Sequence, residues 1–157
     1  MDSKSRVDEA RPAPRAAPSA AMTLILHARS VEAVVESRLK EQGLSLRRFG
    51  LLGHLRATPG ISFSDLARRA GIKVQSLQPI VQTLLDLGYV HTIGGVGQGR
   101  AAVLELTSTG SDALDRATEM VSEVDGELFA DGEWKDLGDA LVRLATTFQR
   151  DRRKTTD

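Results

Sequence analysis

The chain has 157 residues, no cysteine, and equal numbers of basic and acidic side chains, 21 of each. This length is enough to bury one sizeable core, and the lack of cysteine excludes disulfides, cysteine-ligated zinc and thiol redox switches. No stretch is apolar for long enough to cross a membrane or resembles a secretory signal, so we expect a cytoplasmic protein with no membrane partner.

The charges are unevenly distributed along the chain. Residues 45–100 hold seven basic and two acidic side chains, a net charge of +5, whereas the remainder of the chain carries −5. A basic segment on an acidic body is typical of a module that faces phosphate. Charge alone does not decide the matter, because a solvated surface can also be unevenly charged.

The N-terminal part of the chain predicts a tail followed by two helices. Residues 1–20 contain three of the five prolines, and this composition predicts a disordered tail. Apolar residues recur at helical spacing from residue 21 to 42, and Gly43 is placed to end that helix. Ser45 is placed to cap a second helix, which Pro59-Gly60 ends with a turn signal.

The next segment predicts a helix-turn-helix. Ser62 and Asp65 have the S-x-x-D spacing of a capping box, and Gly71 supplies the backbone freedom for a tight turn. A second helix follows and stops at Gly88. Its apolar side chains recur at helical spacing: Leu77, Ile80, Val81, Leu84 and Leu87.

Polar side chains between these apolar positions are candidates for contacts with DNA. Short hydrogen-bonding side chains on a helix can reach base edges and phosphates in a groove. The alternative is an ordinary polar helix face. The predicted DNA-contacting set is Ser62, Ser64, Lys73, Gln75, Ser76, Gln78, Gln82, Thr83 and Arg100.

Two alternating segments around a glycine-rich loop predict a β-hairpin. Residues 89–93 and 102–106 alternate as half-buried strands do, and residues 94–100 join them. A phosphate-cradling nucleotide loop is the alternative, but such a loop leads from a strand into a helix, and here a strand follows. A helix-turn-helix followed by a hairpin predicts a mainly α (α+β) winged helix-turn-helix over residues 45–107.

Two long helices are predicted after the hairpin. Thr107 is placed to cap the first, and Asp131-Gly132 separates it from the second. Their heptad-like apolar stripes fit either a monomer core or a helix–helix interface between subunits, and we favour the interface. We therefore predict dimerisation helices over 21–44 and 108–150 and a flexible tail over 151–157. The predicted interface residues are Leu24, Val31, Leu137, Leu141, Leu144 and Phe148.

Several of these segments resemble the MarR family of bacterial transcription regulators. The matching residues are Ser64-Asp65-Leu66-Ala67 with Ala70-Gly71, Val81-x-x-Leu84-x-x-x-Gly88-Tyr89-Val90, Arg100, and Leu106-Thr107-x-x-Gly110. The resemblance implies a homodimer that binds double-stranded DNA at a palindromic operator, as a repressor. It also implies relief of repression by a small-molecule effector bound between the dimer helices and the winged domain.

The chain departs from the family pattern at two places. Glycines replace all the charged residues usual in the wing except Arg100. Pro79 lies within the second helix of the helix-turn-helix, where proline costs about 3 kcal/mol. Either that helix starts late, near Ser76, or it kinks at Pro79.

Two other functions are weighed against a DNA-binding regulator. Pro79 and the uncharged wing also fit a winged helix that binds proteins instead of DNA. An enzyme is disfavoured, because His27, His54 and His91 lie on different elements and no nucleophile–base motif is present. We therefore expect no cofactor and no metal site.

Overall fold

The computed structural model describes residues 19–94 and 102–154, with side chains as far as residue 145. Over these ranges the chain forms helices and a small sheet. In chain order the elements are α1 (Ala20–Lys40), α2 (Leu46–Ala57), β1 (Ile61–Ser62), α3 (Phe63–Ala70), α4 (Val74–Asp86), β2 (Val90–Ile93), β3 (Val103–Leu106), α5 (Ser108–Leu128) and α6 (Gly132–Lys154).

The helix starts follow the capping residues that the sequence indicates. The hydroxyls of Ser45, Ser62 and Thr107 accept hydrogen bonds from backbone N–H groups in the first turns of α2, α3 and α5. The capping box at α3 is only partly formed. The hydroxyl of Ser62 donates to Asp65 Oδ2 at 2.7 Å, so this carboxylate binds the capping hydroxyl.

The helix-turn-helix is confirmed. Gly71 ends α3 in the left-handed conformation, at φ 67°, and α4 begins three residues later, at Val74. A side chain at Gly71 would be strained in this conformation, so the short turn depends on glycine.

The sheet is antiparallel, with strand order β1-β3-β2. β2 and β3 form the predicted hairpin, with Val90 opposite Leu106 and Ile93 opposite Val103. β1 was not predicted. Ile61 and Ser62 are too few to show alternation in sequence, and they become a strand because they pair with Leu104 and Val103 of β3.

A single core joins the winged unit to the long helices. Both parts contribute fully buried side chains to it, among them Leu52 of α2, Leu66 of α3, Leu84 of α4, Leu104 of β3 and Ala117 of α5. No described side chain of α6 is fully buried. The core therefore ends at α5, and α6 lies at its margin.

Polar contacts hold α1 and α2 against their neighbours. Arg38 of α1 forms a bidentate ion pair with Glu127 of α5, at 2.8 and 2.9 Å. Arg56 of α2 donates to Asp115 of α5 at 2.7 Å. Because these pairs are exposed, each contributes only about 0–1 kcal/mol, and their main effect is on geometry.

A glutamate on α1 caps the start of α2. Glu36 Oε2 accepts a hydrogen bond from the backbone N–H of Leu46 at 2.7 Å. Carboxylates are favoured at a helix N-terminus because of the free N–H groups there. The contact fixes the direction of α2 relative to α1.

Two helix ends differ from what the sequence pattern suggests. Leu87 is exposed, because α4 ends at Asp86 and the chain turns there instead of continuing the apolar stripe. The tail predicted from residue 151 is helical as far as Lys154, since residues 149–154 contain helix-forming arginines and lysine and no Gly or Pro to stop α6. Residues 1–18 of the predicted N-terminal tail and residues 155–157 of the predicted C-terminal tail lie outside the described residues.

The first turn of α5 lies against the backbone of Tyr89. Thr107 N–H donates to the Tyr89 carbonyl at 3.0 Å, and the Thr107 hydroxyl donates to the Gly88 carbonyl at 2.6 Å. A Cβ added to Gly110 would overlap the Tyr89 carbonyl oxygen and lie 2.8 Å from its carbon. Glycine at position 110 is therefore required for α5 to approach β2 this closely.

Gly110→Ala should lower the free energy of unfolding by about 1–3 kcal/mol, because the added methyl group forces the Tyr89 backbone away from α5. Urea unfolding measures the change. Gly126→Ala is the matched control: it lies in the same helix, and an added Cβ there meets no atom within 4 Å. That variant should be unchanged or about 0.5–1 kcal/mol more stable. Equal effects of the two substitutions would contradict the role given to Gly110.

Candidate nucleic-acid interface

The surface of α4 that faces solvent carries three glutamines and one charged residue. Five exposed residues recur along one side of the helix, opposite the buried Leu77, Val81 and Leu84. We call them the outer face of α4: Gln75, Gln78, Pro79, Gln82 and Asp86. Their spacing of three and four residues places them over about three turns, a length that fits a major groove.

Gln82 is held in place by its neighbour on the outer face. Its Nε2 donates a hydrogen bond to Asp86 Oδ1 at 2.8 Å. One amide hydrogen and the amide oxygen of Gln82 remain for other partners, and these are the two groups with which glutamine binds an adenine edge. Asp86 therefore restricts the orientation of the Gln82 amide, and no sequence motif indicates this contact.

The start of α4 is suited to a phosphate group. Lys73 is the N-cap residue, but no side chain caps the first turn. The free N–H groups of a helix start attract anions, and the exposed Lys73 adds a positive charge at the same place. Ser76 is also exposed, close to this end of the helix.

The other predicted hydroxyl residues, Thr83, Ser62 and Ser64, differ in exposure and in hydrogen bonding. The hydroxyl of Thr83, which is half-buried, donates to the Pro79 carbonyl at 3.0 Å. Ser62 is half-buried and its hydroxyl is engaged in the cap of α3, whereas Ser64 is exposed on that helix. Ser64, like Ser76 on α4, thus has a side chain available to DNA, whereas that of Ser62 is already used.

The acid at the start of α3 stays ionised at neutral pH. The Ser62 hydroxyl and the Arg68 guanidinium, 2.5 Å from Asp65 Oδ1, hold the pKa of Asp65 below its usual value. Arg68 and Arg69 extend the basic character of this helix, and Arg69 donates to the hydroxyl of Thr58.

Pro79 lies in the second turn of α4. The helix begins at Val74, so the late start considered from the sequence is excluded. Proline has no N–H, and the Gln75 carbonyl one turn earlier therefore lacks its usual helical partner. The helix nevertheless continues to Asp86.

The described part of the hairpin extends away from the core. Val90 is buried, but His91, Thr92 and Ile93 are exposed. Gly94, the last described residue on this side of the loop, has φ 80°, in the left-handed region that favours glycine. Arg100 and the rest of the glycine loop lie outside the described residues.

Most of the predicted dimer residues are exposed in the single chain. On α6, Leu137, Leu141 and Leu144 are exposed, as is Leu24 on α1. Val31 differs, because it is half-buried against the core of its own chain. The side chain of Phe148 lies outside the described residues.

The first and last helices meet through aromatic side chains. The ring of His27 on α1 lies edge-on to Trp134 of α6, with centroids 5.2 Å apart, and Phe129 lies 5.9 Å from Trp134. His54 lies on α2 and His91 on β2. Within residues 19–94 and 102–154, no group of three or more metal-binding side chains comes together.

A cleft with a mixed polar and apolar lining lies between α2 and the turn of the helix-turn-helix. It has a volume of about 230 Å³ and is lined by Arg47, His54, Ala70 and Ile72, among others. His27 lies on α1, which does not line this cleft. Every helix in the described part of the chain is too short or too polar to cross a bilayer.

Comparisons with known proteins place these features in one family. A family model described as "MarR family" matches residues 42–101. The HTH-type transcriptional repressor Rv2887 of Mycobacterium tuberculosis is 32% identical over 96 residues, which cover 61% of this chain and 69% of the repressor.

Solved structures of the same mycobacterial protein have a similar fold. The complex of Rv2887 with DNA has a TM-score of 0.68 and 24% identity, covering 82% of this chain and 98% of that one. The complex with salicylic acid has a TM-score of 0.65 and 25% identity, covering 84% and 98%. With the helix-turn-helix, the hairpin and the flanking long helices described above, these similarities show that the chain belongs to the MarR family.

Proposed function

We propose that this chain is a sequence-specific, DNA-binding transcriptional repressor that acts as a homodimer on a palindromic operator in the cytoplasm. The observation that carries the proposal is the outer face of α4, which is exposed, uncharged apart from Asp86, and held by a helix-turn-helix. Its glutamines offer donor–acceptor pairs of the kind that read adenine. The repressor Rv2887, a family member, is solved in complex with DNA.

We propose that α1, α5 and α6 form the dimerisation region and that residues 45–107 form the DNA-binding domain. Exposed leucines on α6 and on the N-terminal half of α1 support this division, because groups of exposed large apolar side chains often mark an interface. A two-fold dimer presents two α4 helices, which suits a palindrome.

Relief by a small molecule is also part of the proposal. Rv2887 is solved with salicylic acid, a small aromatic carboxylate. In this chain, the cleft beside α2 offers Arg47 to a carboxylate and aliphatic walls from Ala70 and Ile72 to a ring. It lies within the winged domain, and not between that domain and the dimer helices as the family resemblance implies. Since the cleft touches the turn before α4, an occupant is placed to shift that helix.

The alternative of a winged helix that binds protein is less well supported. Pro79 and the lack of charge in the wing favoured this alternative. The other residues of the outer face of α4 are polar, however, and its glutamines can form hydrogen bonds with base edges. An enzyme is also disfavoured, since the relatives are transcriptional regulators.

Duplex binding should weaken steeply as the salt concentration rises, because phosphate contacts release counterions. If Lys73 meets a phosphate, Lys73→Ala should reduce the slope of log affinity against log salt by about one unit per subunit. Fluorescence anisotropy with a labelled duplex measures the slope. Lys40→Ala, which removes an exposed lysine from the end of α1, should leave it unchanged. A flat salt response of the unmodified protein would contradict the proposed function.

Gln82→Ala should lower affinity for the selected duplex by about 1–3 kcal/mol and relax the base preference at one position of each half-site. The loss arises because alanine cannot form the paired hydrogen bonds to adenine. Binding-site selection followed by titration of single base-pair variants measures it. Gln42→Ala is the control, because Gln42 lies between α1 and α2, outside α4, where its amide oxygen accepts a hydrogen bond from Arg116. Equal losses on selected and random duplex in Gln82→Ala would argue against base reading.

The protein should be a dimer at micromolar concentration, and Leu141→Glu should shift it towards monomer because the substitution buries a charge in the subunit interface. Light scattering coupled to size exclusion measures the mass. Leu87→Glu is a matched control, because Leu87 is 42% exposed and Leu141 is 41% exposed. Leu87 lies at the end of α4, outside the proposed subunit interface. A monomeric unmodified protein, or equal effects of both variants, would contradict the proposed interface.

A further inference from the structure

Pro79 occupies the middle of the outer face of α4. Gln75 lies one turn before it and Thr83 one turn after it, while Gln82 is its neighbour at a spacing of three. The pyrrolidine ring is exposed and is not part of the buried core or of the side chains packed against it. The ring therefore contributes nothing visible to packing within the chain.

A proline in this position opposes folding of the helix. It removes the hydrogen bond to the Gln75 carbonyl and crowds the preceding turn. Local rules of this kind are broken mainly at functional sites, where another requirement outweighs the loss of stability. An exposed proline that neither caps the helix nor packs in the core points to such a requirement.

The chemistry of the ring limits what it can recognise. It has no hydrogen-bond donor or acceptor and no flexible chain, so it offers one rigid apolar surface among amide side chains. In the major groove, the apolar group on the base edges is the C5-methyl of thymine. Thymine O4, like the polar edges of the other bases, needs a separate hydrogen-bond partner, but no other base carries an apolar substituent in this groove.

We propose that Pro79 is a specificity-determining residue that packs against the C5-methyl group of a thymine, beside the base contacted by Gln82. The inference rests on the proposed DNA-binding function and makes it more specific. It assigns to each half-site an A·T pair whose thymine methyl meets the proline ring. Contact with the ring also shields the neighbouring glutamine–base hydrogen bonds from water.

Replacing thymine by deoxyuridine, which removes only the methyl group, tests this contact. A duplex is first selected from a random library with the full-length protein. Each thymine is then replaced in turn by deoxyuridine, in one half-site at a time, and affinity is measured by anisotropy. One position per half-site should lose about fourfold in affinity, as expected for one buried methyl group.

The same series is measured with Pro79→Ala, which removes most of the ring. The deoxyuridine penalty at that position should fall below about twofold, so that the double-mutant cycle shows coupling between Pro79 and the methyl group. This variant should melt at a higher temperature than the unmodified protein, because alanine restores the helical hydrogen bond. Pro59→Ala, an exposed proline in the turn before β1, is the control and should keep the full penalty.

The outcomes separate this inference from the proposed function. If no duplex is selected and binding does not depend on salt, the proposed function fails. If a duplex is selected but no deoxyuridine substitution weakens binding, or the penalty is the same in Pro79→Ala, the DNA-binding function stands and the role of Pro79 is wrong. If the role of Pro79 is wrong in this way, the ring lies against the sugar-phosphate backbone or away from the duplex.

Discussion

The contact between Gly110 and the Tyr89 backbone is the constraint on which the rest of the fold depends. It joins the end of α4, the start of β2 and the first turn of α5 within a few residues. Because the Thr107 hydroxyl binds the Gly88 carbonyl while Thr107 also caps α5, one side chain sets both the end of the helix-turn-helix and the start of the long helix. The position of α4 relative to α5 is therefore fixed by the contacts that Thr107 and Gly110 make with the backbone of Gly88 and Tyr89.

This rigid connection has a consequence for DNA binding. If α5 and α6 pair with those of a second subunit, the distance between the two α4 helices is set by the same contact. The ion pairs of Arg38 and Arg56 with α5 brace α1 and α2 around it. In the proposed relief of repression, a ligand beside α2 would contact the turn before α4, which connects the cleft to the outer face of α4.

Much of the fold could be predicted from the sequence because its signals are local. Caps at Ser45, Ser62 and Thr107 and the glycine stops at Gly43, Gly71 and Gly88 mark helix ends through side-chain chemistry and backbone freedom. β1 could not be predicted, since its two residues become a strand only by pairing with β3. The exposure of Leu87 has a related reason: the helical spacing of the apolar residues continues past Asp86, where α4 ends.

The candidate site was predicted less completely than the fold. The exposed glutamines of α4 followed from periodicity, but the hydrogen bond of Asp86 to Gln82 required the three-dimensional structure. Ser62 illustrates the opposite case, because the same hydroxyl that suits a phosphate is already used as a helix cap. Residue type indicates what a side chain can bind, whereas the structure shows which side chains are still available.

Hydroxyl-radical footprinting of the protein on its selected duplex tests the central claim most directly. A dimer with one α4 in each of two major grooves should protect two segments related by a two-fold axis. Their centres should be about one helical turn, 10–10.5 base pairs, or a multiple of it apart. A single protected segment, or protection with no symmetry, would contradict the account.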